Sequence, residues 1–186
     1  LYKEWKHLDN FNECPYLPGV IDIDKYHGGL CEHHYVLLTA VLRSLGIACA
    51  IDYTPQWRHW PGKHSWMVIL DTTGQMIAFN PRNPAYYYTH KVPLGATGSA
   101  TKVYRRTYTI QESSLPEKAR GDIIPPEFNT TGIRDVTDEY QFMQSDITLP
   151  FTTDQKKHPV YLMAFGYGEM REFVAWSISN KIQLHF

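Results

Sequence analysis

Apolar residues recur at helical spacing most clearly just past residue 30. Tyr35, Leu38, Val41, Leu42 and Leu45 fall on one side of a helical period, and Gly46 stands where a left-handed C-terminal cap belongs. The spacing predicts a helix over residues 31–45. Residues 1–30 show little period and carry Cys14-Pro15 and Pro18-Gly19, which predicts a partly helical lead-in over Leu1–Leu8 and then loop. After the helix the pattern turns to strands. Ile47–Tyr53 is a short apolar run closed by Thr54-Pro55. Ser65–Leu70 and Gln75–Phe79 flank Asp71-Thr72-Thr73-Gly74 as the arms of a hairpin. Val103–Ile110 alternates and is rich in Tyr, Thr and Val. Ser113-Ser114, Pro116 and Pro125-Pro126 mark a break, and beyond it Val136–Leu149, Val160–Phe165, Glu172–Ile178 and Ile182–Phe186 read as strands. The expected fold class is α+β, with a mixed domain over 1–112, a linker over 113–132 and a β-rich module over 133–186. A sheet ending on the apolar pattern Ile182–Phe186 presents an open edge, which predicts either that the chain is part of a longer protein or that the first domain covers this edge.

Candidate chemistry gathers on the helix and the hairpin. Gly28-Gly29-Leu30-Cys31 sets a thiol at the predicted helix start, where unpaired N–H groups and a partial positive charge favour thiolate. His64 opens the first hairpin strand, and Asn80 follows the second. A loop of three residues, Thr72–Gly74, pairs Asp71 with Gln75 and sets Trp66 opposite Asn80. His64 then lies one diagonal step from Asn80 on the same face, whereas a two-residue loop separates them onto opposite faces. Gly74 suits the left-handed position that the odd loop requires, and Asp71 is expected to build the turn. Cys, His and Asn so placed form a nucleophile, a base and a residue that orients the base.

In order, Gly28-Gly29-Leu30-Cys31, Leu42-Arg43-Ser44-Leu45-Gly46-Ile47, His64-Ser65-Trp66 and Phe79-Asn80-Pro81 resemble the transglutaminase-like branch of the papain-like cysteine superfamily. The resemblance spans roughly residues 26–82. It implies a helix bearing Cys31 packed on an antiparallel sheet bearing His64 and Asn80, and acyl transfer through a thioester to water or an amine. Asn80 stands where most relatives carry Asp, and Ala48-Cys49-Ala50 replaces a stretch in which relatives carry Arg. A peptidase or amide hydrolase is expected rather than a cross-linking enzyme, because no acidic calcium-type loop is present. Gly29, Trp57, Trp60 and Trp66 are expected to line the substrate cleft. Similar domains in exported proteins of Bacteroidetes imply a periplasmic or surface location and a peptide, protein or glycoprotein substrate. A different class of function fits the same scaffold: a module without turnover that grips glycan or peptide through its aromatic residues.

Composition narrows the alternatives. Eighteen Lys and Arg against nineteen Asp and Glu leave a formal charge of −1, so no broad basic field suggests nucleic acid. The richest apolar stretch, Val36–Ile51, is broken by Thr39, Arg43 and Ser44, and no transmembrane segment is expected. Nine His include His33, His34, His59 and His64, yet no Cys-x-x-Cys or His-Glu-x-x-His spacing occurs. Neither a metal nor a cofactor is expected. Three Cys leave at least one thiol, with Cys14 and Cys49 expected to be inert or paired with each other.

Overall fold

The structure is a computed structural model that describes residues 5–7, 18–57, 62–79, 101–119, 121–140, 146–150, 158–165, 171–178 and 181–185. It is a mixture of helix and mainly antiparallel sheet in two compact units. The first unit draws on Leu1–Asp52 and His64–His90, the second on Tyr53–Lys63 and Lys91–Phe186.

The first unit opens with β1 (Lys6–His7), α1 (Val20–Tyr26) and β2 (Gly28–Gly29). These correct the expected lead-in. Lys6 and His7 are extended and pair in parallel with Gly28 and Gly29, while a helix occupies part of the expected loop. Only Ile23 of α1 is fully buried, whereas Ile21 and Tyr26 face solvent, so no apolar stripe announces this helix in the sequence. Next comes α2 (Cys31–Ser44), whose Cys31, Tyr35, Leu38 and Leu42 form a stripe at spacings of four, three and four. The helix closes in a Schellman motif: Gly46 N–H donates to Arg43 O and Ile47 N–H to Leu42 O, with Gly46 at φ +80°.

Three strands complete this unit: β3 (Cys49–Thr54, through Asp52), β4 (His64–Leu70) and β5 (Met76–Phe79). Strands β4 and β5 pair as Met67–Phe79, Val68–Ala78, Ile69–Ile77 and Leu70–Met76, the register that the three-residue loop predicts. Asp71 N–H donates to Gln75 O, and Gly74 sits at φ +86°. The Asp71 carboxylate holds the loop, accepting from Thr73 N–H and hydroxyl and from Gln75 N–H at 2.7–2.8 Å. Tyr35, Ile51 and Met67 are the centre of the core, with Cys31, Leu38, Leu42, Ile69 and Phe79 packed around them.

The second unit contains β6 (Tyr104–Arg106), α3 (Leu115–Lys118), β7 (Ile133–Asp135), β8 (Asp146–Pro150), β9 (Val160–Phe165), β10 (Arg171–Ser177) and β11 (Lys181–His185). Antiparallel pairs join β6 with β7, β9 with β10 and β8 with β11. The strand expected over Val103–Ile110 is shorter, because Thr107 hydroxyl and the Gln111 amide turn back to Thr109 and end the ladder. Within the stretch expected as one strand over Val136–Leu149, Thr137–Glu139 form a 3-10 turn, and β8 covers Asp146–Pro150. Thr137 N–H and hydroxyl both donate to Asp135 Oδ1, an Asx-type arrangement that competes with extended backbone. Residues 113–132 are folded into this unit, supplying Leu115, Ala119 and Phe128 to a core with Tyr104 and Ile133. Pro116 and Pro126 lie in the first turns of α3 and a 3-10 helix, where a missing N–H costs nothing. A bulge at Val174 in β10 turns its carbonyl to accept from Tyr104 hydroxyl (3.1 Å).

Candidate active site

Cys31 is the first residue of α2, half-buried, and belongs to the stripe that packs on the sheet. The segment leading to it is tightly built. Leu30 N–H donates to His33 Nδ1 (3.0 Å), so the N3 side chain reaches back to the N-cap amide as in half of a capping box. Leu30 has no side-chain acceptor, so the reciprocal half is absent. The bond makes Nδ1 the acceptor, which leaves the proton of the neutral ring on Nε2. The His33 ring is 5% exposed, and burial lowers its pKa, partly opposed by the charge of Glu32. Gly29 accommodates that ring. A Cβ there would lie 2.9 Å from His33 Cβ, and its φ of +147° is one that L side chains rarely adopt. His34 is likewise buried, stacked on Trp5 (4.6 Å between centroids).

Element directions carry Cys31 and His64 to one end of the unit. Leu70, the last residue of β4, donates its N–H to Ala48 O, just before β3 begins. Since β3 neighbours β4, it must run back along β4 toward His64. Strand β4 therefore starts at the end where α2 starts and finishes where α2 finishes. The lengths match: fourteen helical residues and seven strand residues both span about 20–23 Å. Antiparallel β5 returns toward the same end, and its ladder reaches Phe79 opposite Met67. Asn80, the next residue, lies outside the described residues, as do Trp60, Pro81 and Cys14.

The facing of β4 is equally definite. Met67 and Ile69 pack toward α2 and Cys31, whereas the His64 ring stacks on Trp66 (6.3 Å) on the opposite side of the strand. Among the described residues the Cys31 thiol makes no hydrogen bond, to His64 or any other group. Trp66 is 1% exposed, a packed core residue of the first unit. Trp57 is also buried and belongs to the second unit, where its N–H donates to Gly62 O (3.2 Å). Cys49 is a free thiol whose S–H points at Thr39 O (3.8 Å). Burial pushes its pKa up, against the pull of Arg43. Sequence reasoning weighed His33 only as a metal ligand and missed its role at the helix start. The signal was present as a polar residue three positions after the N-cap.

No family model, no curated protein and no solved structure matches this chain. Among the described residues no helix is long and apolar enough to cross a membrane.

Proposed function

We propose that this chain is a thiol amide hydrolase of the transglutaminase-like kind, with Cys31 as nucleophile, His64 as base and Asn80 as the residue that orients His64. The observation that supports this reading is a shared direction: α2 packs on β4, and the two begin toward the same end of the unit. In the reaction His64 takes the thiol proton as sulfur attacks the amide carbonyl, then returns it to the departing amine. Water next attacks the thioester and releases the acid. The Cys31 N–H at the helix start is the oxyanion donor. His64 is the first residue of its strand, and the reaction requires its ring to leave Trp66 and move past the strand end to the thiol.

A second reading is favoured by one observation, the stacking of His64 on Trp66 away from the core of Cys31. On that reading the scaffold binds a peptide or glycan without turnover. Alkylation by iodoacetamide separates the two. The enzyme requires that Cys31 react at about pH 6 and that His64→Ala slow it roughly tenfold or more. Amide hydrolysis, assayed on a peptide library, should vanish in Cys31→Ala and His64→Ala and persist at a reduced rate in Asn80→Ala. An alkylation rate untouched by His64→Ala, with no turnover of any peptide, would leave the binding module.

A further inference from the structure

A cavity of about 260 Å³ opens in the second unit, walled by Tyr104 and Trp176 and edged by Ser113, Ser114, Lys118 and Asp135. Its polar groups are unequally satisfied. Asp135 is already met, with Lys102 Nζ 2.6 Å from Oδ2 and Thr137 donating twice to Oδ1. Because Lys102 is buried beside it, the negative charge of Asp135 is neutralised within the fold. Across the cavity the ammonium of Lys118 forms no ion pair among the described residues. Ser113, exposed to solvent, also has no protein partner among the described residues. Ser114 is 2% exposed and its Oγ is a buried polar atom with no hydrogen bond, a costly state for a hydroxyl.

One cation and two hydroxyls without partners, beside a carboxylate whose charge is already balanced, suit an anion. The aromatic walls offer apolar surface to a carbon skeleton. The Asp135 side chain remains 45% exposed and can accept from a hydroxyl. The volume lies below the roughly 300–1,000 Å³ of sites for drug-sized ligands, which limits the occupant to about one ring. We propose that this cavity binds a small hydroxy-carboxylate of the sugar-acid class. Its carboxylate meets Lys118 and Ser113 and, once the covered hydroxyl turns toward the cavity, Ser114; its hydroxyls donate to Asp135, and its C–H face lies against Trp176.

The test is calorimetric titration of the full chain with D-glucuronate, D-glucose and inorganic phosphate. Glucuronate should bind saturably, with glucose and phosphate each roughly tenfold weaker or more. Lys118 is exposed, so Lys118→Ala should keep the native near-ultraviolet spectrum while weakening glucuronate roughly tenfold. Cys31→Ala should bind glucuronate as the native chain does, which separates this site from the thiol chemistry. Glucose binding as tightly as glucuronate would remove the role of the anion. Phosphate binding as tightly would reduce the site to a bare oxyanion hole without the hydroxy-acid preference. No saturable binding of glucuronate at concentrations on the order of 10 mM would mean that the cavity holds water alone.

Discussion

His33 shows how one side chain organises the start of α2. Its Nδ1 accepts from Leu30 N–H, and its ring occupies the space that the absent side chain of Gly29 leaves. Burial opposes protonation of the ring, partly offset by the charge of Glu32, and protonation would also remove that acceptor. The sign follows. The folded pKa lies below the unfolded value of about 6.5. The contribution of His33 is therefore fully present above about pH 6.5 and is lost as pH falls through the lowered folded value. His33→Ala should cost about 1 kcal/mol at pH 7.5, and His33→Gln, a capping-box residue, should recover most of it. Urea denaturation at about pH 7.5 and pH 5 checks this. The native chain should lose more stability on acidification than His33→Gln does, and equal losses in both would show that another group carries the acid sensitivity.

At the scale of elements, the hairpin depends on its turn as much as on its strands. An odd loop keeps residues of equal parity on one face, so Met67, Ile69 and Phe79 all point into the same core. Gly74 provides the left-handed residue at φ +86°, and nothing lies within 4 Å of where its Cβ would be. Gly74→Ala should therefore cost backbone strain alone, about 1–2 kcal/mol, and Gly74→Asn distinctly less. Equal denaturation midpoints for native chain and Gly74→Ala would show that the turn relaxes without penalty. The Asp71 carboxyl is held below the usual carboxylate range, first by Thr73 hydroxyl and then by the Gln75 amide. Its three bonds inside the loop leave it a turn-builder, as its place in the sequence suggests.

For the whole molecule, stability in the second unit rests on residues drawn from distant parts of the chain. Phe128 is 1% exposed and meets Tyr104, Leu115, Ala119 and Ile133. Phe128→Ala should cost about 3–5 kcal/mol, since the ring is large and its neighbours come from several elements. Thermal unfolding followed through Trp fluorescence measures it. A loss below about 1 kcal/mol would mean that residues 113–132 contribute no core.

The α2 helix, its glycine cap, the β4–β5 register and the strands β9 to β11 were legible in the sequence, because local rules govern each. A 3.6-residue stripe, a glycine at C′ and an odd loop act on neighbours a few positions apart. Strand β1 and helix α1 were not legible. Lys6 and His7 are extended because Gly28 and Gly29 lie beside them, and α1 is anchored by Ile23 with its other apolar residues in solvent. The prolines of 113–132 start short helices, and the burial of Leu115 and Phe128 is decided by distant partners. The same division runs through the candidate site. Residue types and order singled out Cys31 and His64, but the common direction of α2 and β4 comes from tertiary packing, with the bond between Leu70 and Ala48 fixing how β3 meets β4. The side of β4 on which His64 lies was decided by packing, which turns Met67 and Ile69 toward α2 and leaves His64 with Trp66. Side-chain alternation is local, but which face meets the helix is a property of the assembled core.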